Sequence, residues 1–259
     1  MLRIIDARTG EPVEAAPARR GLTRVQAHAS GLDASALRVL LVADVLVRAL
    51  ELGGTPVWAM LTGDRRQPEL RAVATTLGVR PFEDGQDLAS GLGEAQVIHV
   101  AGEAGASADG AVLVEVAPVL GSGDGTAPGS DPAAAAAPEA AVTAAAAEPS
   151  ALRLALLSAP RGTPVRLDAD ALDEAGRSLA HWRHAVAVWA RQPSRPVPEE
   201  VRGRLRTAWE DDLDVPGVLR VLRWVEAAPG LPDGARFETY AYADRLLGLD
   251  LVRDLGRLA

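Results

Sequence analysis

From Leu37 to Leu50 nearly every position is apolar; after Arg38 at its start, the polar positions Asp44 and Arg48 and the following Glu51 fall four and three residues apart. That spacing puts them on one narrow stripe of a helix whose remaining surface is buried. Asp33 or Ser35 can cap its start, and Gly53-Gly54 stops it. Arg24 to Ala29 (RVQAHA) and Thr55 to Leu61 (TPVWAML) flank it as apolar runs of strand length. Strand, helix and strand in succession make a βαβ unit, from which parallel sheets are built.

The rest of the chain divides by composition. Leu2 to Asp6 reads as a first strand or hairpin before the turn Arg8-Thr9-Gly10. Pro68 to Leu77 is a short helix, and Asp87 to Leu92 another. Gln96 to Ala101 and Ala111 to Val116 are strands around the loop Gly102 to Gly110. Gly121 to Pro149 is Gly, Ser, Pro and Ala and reads as a linker, with a transient helix at Glu139 to Ala147. From Ser150 the pattern is helical. Asp168 is a good N-cap for a long helix from Ala169 to Ala190, followed by helices from Glu199, Pro216 and Phe237. This predicts a sheet domain over 1–120, a linker over 121–149 and a helical domain over 150–259.

Composition narrows the chemistry. The 259 residues are 48% hydrophobic and only 3% aromatic, so the core must be Leu, Val and Ala. There is no cysteine, which excludes disulfides and thiolate metal sites. There is no lysine either, which excludes a P-loop. The net charge of −8 arises before residue 150, and neither half is a basic surface for nucleic acid. No apolar run is long enough for a membrane span and no secretory signal is seen, which leads us to expect a cytoplasmic protein.

Candidate groups each have a bland reading beside the chemical one. His181 and His184 share a helix face, but a metal site needs a third ligand, and packed or surface histidines are the commoner case. Trp182, Trp189, Trp209 and Trp224 are core anchors or stacking platforms. The turn Glu210-Asp211-Asp212-Leu213-Asp214 caps the helix at Pro216 or holds a cation. His28 and His99 are the histidines of the sheet half that could serve as a general base.

The segment EPSALRLALLSAPRGTPVRLDADALDEAGRSLAHWRHAVA, Glu148 to Ala187, resembles the class I cysteinyl-tRNA synthetase family, where a "DPxALRLxLLSxHYR" helix leads into "ALxxAxxxLxRWRxAV". RLRTAWEDDLDVPGVL, Arg204 to Leu219, is similar to that family's "DDLDTPxAL" turn. SLAHWRHAV and DDLDVP look nearer to its actinobacterial relative, the mycothiol-pathway ligase that joins cysteine to glucosaminyl-inositol. Leu2 to Pro12, VADVLVRALELGG and Leu77 to Pro81 resemble the family's earlier segments, and Gln96 to Val116 its "GxAYxxxGDVYFDV" hairpin. The resemblance implies an α/β fold: a partial Rossmann-like, class I synthetase-type parallel sheet followed by a C-terminal α-helical domain.

The departures fall on the working groups. The family's "HIGH"-type histidines, which stabilise charge on ATP, align with Asp33-Ala34-Ser35-Ala36. The zinc-site cysteines are absent, and Gly121 to Pro149 stands where the resemblance puts the "KMSKS" loop and the second half of the nucleotide fold. An aspartate facing phosphates would repel them. These substitutions favour a catalytically silent paralogue that binds a protein or a small molecule, with no catalytic residue, no metal and no cofactor required. The competing reading is an ATP-dependent ligase forming an aminoacyl adenylate at a re-specified site. There Asp33 or Asp64 would hold Mg²⁺, and Arg24, Arg38, Arg65 and Arg66 would converge on phosphates beside Ser35. A tRNA-binding remnant is disfavoured: it needs a basic stripe from Arg183, Arg191, Arg202, Arg204, Arg206, Arg220 and Arg223 on a half whose charge balances.

Overall fold

The structure is a computed structural model that describes residues 1–17, 21–63, 66–84, 94–102, 110–121 and 148–256. The expected helix at Asp87 to Leu92 and the expected linker helix lie outside them. An antiparallel hairpin, β1 (Arg3–Ile5) and β2 (Pro12–Glu14), precedes the main sheet. That sheet contains β3 (Leu22–His28), β4 (Val57–Thr62), β5 (Glu83–Asp84), β6 (Glu94–Gly102) and β7 (Val112–Val116) in the order β5-β4-β3-β6-β7, every neighbouring pair parallel. This is an α/β fold of the Rossmann-like kind, with helices packed beside it.

The pairing of β6 with β7 corrects one expectation. The two strands run parallel, Ile98 beside Val112 and Gly102 beside Val116, and not as a hairpin. Alternation along a strand fixes its buried face and is silent on its direction. With β6 on the far side of β3 from β4, the sheet extends on both sides of its first crossover, and a topological switch point lies between β3 and β6.

Helix α1 (Ala34–Leu52) is the β3–β4 crossover and packs against four of these strands. It is buried almost throughout, as its apolar run predicts. Its end is set by Gly53, whose N–H bonds the Ala49 carbonyl, and by Gly54 at φ +82°, whose N–H bonds the Glu51 carbonyl in a left-handed turn that glycine adopts at no steric cost. Helix α2 (Gln67–Thr76) follows β4. Two-residue strands β8 (Val119–Leu120) and β9 (Val165–Arg166) pair in parallel. The remaining helices among the described residues are α3 (Pro149–Leu156), α4 (Ala169–Trp189), α5 (Glu199–Glu210), α6 (Val215–Ala227) and α7 (Asp233–Leu247). The carboxylate of Asp168 accepts from Ala171 N–H, the predicted cap. Helix α7 begins four residues before the expected Phe237. Asp233-Gly234 looks like a turn in sequence, yet Gly234 is helical, and a Cβ there would lie 2.0 Å from the Pro193 carbonyl.

The helices after residue 148 share one apolar core with the sheet half: Leu37 and Leu41 of α1 belong to the same buried cluster as Leu152 and Leu156 of α3 and Leu246 and Leu247 of α7. The polar stripe of α1 faces into this junction. Asp44 is completely buried and accepts from Arg48 Nε at 2.8 Å and Arg153 Nη2 at 2.6 Å. The Arg80 backbone N–H adds a bond of 3.2 Å to its other oxygen. Arg153, equally buried, also donates to the carbonyls of Leu247 and Leu77. Burial alone would raise the Asp44 carboxyl, but Arg153 and Arg48 outweigh it and hold it below the usual carboxylate range. Four elements distant in sequence are thus tied to one carboxylate.

Replacing Asp44 with Ala should cost about 3–5 kcal/mol in urea unfolding, because Arg153 is left buried without its counter-charge. Replacing Arg204, whose pairing with Glu200 is solvent-exposed, should cost less than about 1 kcal/mol.

Candidate functional site

In open parallel sheets, ligands bind outside the carboxyl ends of the strands at the switch point. Here that is the exit of β3, the N-terminus of α1 and the neighbouring end of β6. The α1 N-terminus carries its own anion. Asp33 sits in extended conformation, and its carboxylate accepts from Ala36 N–H at 2.7 Å. This side chain takes one of the N–H groups that would favour a phosphate and sets a negative charge against the positive end of the helix dipole. Of the two possible caps, Asp33 is the one used. Ser35 Oγ accepts instead from Val119 N–H at 2.9 Å, fastening β8 across the first turn of the helix.

Arg38 lies one turn further on and is 1% exposed. Its Nε donates to Leu156 O, Nη1 to Ala117 O and Thr163 O, and Nη2 to Ala159 O and Pro160 O, at 2.7–3.5 Å. Those are all five donors of a guanidinium. Burial pushes its pKa down to about 10, so it stays charged at neutral pH. The cavity beside it, lined by Val42, Val45, Leu157 and Val215 among others, measures about 10 Å³, room for roughly one water.

The described arginines of the ligase reading do not converge. Arg38 lies between α1 and the turn after α3. Arg24 belongs to the sheet face that alternates away from the buried Val25 and Ala27. Arg66 is exposed, in left-handed conformation before α2, with Glu69 at 3.8 Å. Asp64 and Arg65 lie outside the described residues.

The same alternation brings together two residues 71 positions apart. Gln26, in register with His99, and His28, the last residue of β3, share the face of Arg24. His28 Nε2 and His99 Nδ1 are 2.7 Å apart, with ring centroids at 5.0 Å, across the seam of the switch point. Burial lowers the pKa of His28; for His99, burial and then the charges of His28, Arg24 and Arg8 lower it to about 4. Two neutral imidazoles therefore share one hydrogen bond at neutral pH. The sequence marks each as a candidate base, but their contact depends on the β3–β6 register.

Other candidates serve packing. Trp182, Trp189 and Trp209 are buried, the first two edge-on to Tyr240, while Trp224 is exposed under the Arg204 guanidinium. Asp214 caps α6 through Gly217 N–H, and Asp212 takes Arg161 and the Ile5 N–H. His181 pairs with Glu226. Among the described residues, no three His, Cys, Asp or Glu side chains are grouped to hold a metal. Arg183 is buried on the Leu249 and Asp250 carbonyls, and Arg202, Arg204, Arg206 and Arg220 each lie beside a carboxylate. Sequence reading misses Arg153 and Arg161, whose roles depend on carbonyls supplied by remote segments.

No family model matches the chain. It is 38% identical over 109 residues to the L-cysteine:1D-myo-inositol 2-amino-2-deoxy-alpha-D-glucopyranoside ligase of Streptosporangium roseum, covering 40% of this chain and 26% of that protein. The ligase of the same name from a Parafrankia species is 39% identical over 114 residues, 40% of this chain and 25% of the relative. That of Saccharopolyspora erythraea is 42% identical over 82 residues, 31% of this chain and 19% of the relative. The similarity read from the sequence is borne out: the matched stretch is similar to the mycothiol-pathway cysteine ligases, a class I cysteinyl-tRNA synthetase-like group. The match spans about a quarter of the length of the first two relatives.

Asp33→Ala should lower stability by about 1 kcal/mol, the usual loss of a cap. Arg38→Met should cost at least about 3 kcal/mol, since several buried carbonyls lose their donor together. Equilibrium unfolding in urea measures both.

Proposed function

We propose that this chain is a binding or regulatory module built on the cysteine-ligase scaffold, with no adenylate-forming activity of its own. The observation that carries this reading is Arg38: this arginine, one turn into α1, spends every donor on the protein's own carbonyls. Adenylate formation requires groups that stabilise negative charge more strongly in the transition state than in the ground state. At this mouth the first helical turn already holds the Asp33 carboxylate, and the chain has no lysine to bring to phosphates. Its relatives are named for ligation of L-cysteine to an aminoglucosyl-inositol, and the module would work beside such an activity by holding a protein partner or a small molecule.

Among the described residues, no helix is long and apolar enough to cross a membrane. We place the module in the cytoplasm and assign it no tRNA, because five arginines of the basic stripe that tRNA would need are already engaged: Arg183 is buried on carbonyls, and Arg202, Arg204, Arg206 and Arg220 lie beside carboxylates.

Calorimetric titration with ATP and Mg²⁺ at low salt, with and without cysteine, tests this. The expected result is no saturable heat at millimolar nucleotide, a Kd weaker than about 1 mM. Saturable micromolar binding that Arg65→Ala weakens would restore the ligase reading.

A further inference from the structure

The His28–His99 contact is not explained by packing alone. Strands of parallel sheets are ordinarily apolar on both faces. Here the face that turns away from the buried Val25, Ala27, Ile98 and Val100 carries Arg24, Gln26, His28, Thr62 and His99 among the apolar Trp58, Met60 and Val97. The two imidazoles meet where β3 ends, at the seam where the strand order reverses. We propose that they form a proton-operated clasp across that seam, closed while they share one hydrogen bond and opened when both rings carry a proton.

The charged surroundings decide the direction. From β3 the pair is faced by Arg24, and from the turn after β1 by Arg8. Arg8 is held by Asp6, with Nη2 to Oδ2 at 2.7 Å, and Asp6 also receives the Leu113 N–H of β7. Glu115 of β7 lies on the same face two positions beyond Leu113, the register partner of His99. β4 contributes Thr62 and Met60, which do not titrate. A first proton on the pair is shared, because an imidazolium donates well to a neutral imidazole. A second makes both facing nitrogens donors, with no acceptor between them and arginines beside them, so the rings must separate. The pair titrates as a unit and not as two independent sites.

The stability consequence has a definite sign. Both folded-state pKa values lie below the ordinary 6.5. The clasp's contribution is therefore full above pH 6.5 and declines as pH falls toward about 4, where the pair takes its second proton. Opening leaves both imidazoles charged at the mouth where a ligand would enter.

Imidazole NMR of the intact chain, titrated from pH 7.5 to 3.5, tests the clasp. We expect both rings to titrate below the ordinary range, and the cross-ring nuclear Overhauser contact to vanish with the second proton. The His28 and Ala101 amides should then exchange faster, while Val25 and Ile98 stay protected. In His28→Gln, the His99 pKa should rise, since its partner's charge is removed. His99→Gln can still accept a hydrogen bond and should abolish the low-pH exchange step. Two independent titrations near 6.5, or the same exchange step in wild type and His99→Gln, would overturn the proposal. None of these outcomes depends on whether the protein binds ATP.

Discussion

A single carboxylate with no exposed surface, Asp44, stands where α1, α3 and the segment after α2 meet, and through Arg153 it reaches the end of α7. A buried charge of this kind is tolerable only when every lone pair is met and the counter-charge is fixed. Here the counter-charge is fixed and both oxygens accept hydrogen bonds. Arg153 and Arg48 supply the charge, and carbonyls of Leu77, Gly78, Arg245 and Leu247 take the guanidinium donors that Asp44 does not use. Moving the helical half away from α1 would expose leucines on both sides and strand an ion pair. Position within the assembly is therefore set by an interaction with little tolerance for error.

Two more arginines extend this logic to the mouth of the sheet. Arg38 collects the carbonyls of the turn after α3, and Arg161, within that turn, binds Asp212 and the carbonyls of Ile5 and Glu115. In a chain without lysine, every long cation is a planar fork suited to carbonyl and carboxylate recognition. These forks hold turns and helix ends together. The cost falls on chemistry, for a guanidinium with five carbonyl partners has none left for a phosphate.

Much of the fold was legible in the chain. The apolar run of α1, the Gly53-Gly54 stop, the Asp168 cap and the runs that became β3 and β4 follow from periodicity and capping. Strand direction was not legible: β6 and β7 alternate alike in either orientation, and the ladder alone decides. The polar stripe of α1 was visible, but not that Asp44 would be buried, because its partner lies 109 residues away. The site was legible only in part. Asp33 and Ser35 were alternative caps in the sequence, and their different duties, one capping and one holding β8, depend on where Val119 arrives. Arg38 carried the right charge for an anion site, and only the placement of five carbonyls reveals its other employment.

The sheet half and the helical half form one core locked by the Asp44–Arg153 pair. Differential scanning calorimetry of the whole chain near neutral pH tests it most directly. A single endotherm whose calorimetric and van't Hoff enthalpies agree is the predicted result. Two separable transitions, one for each half, would contradict it.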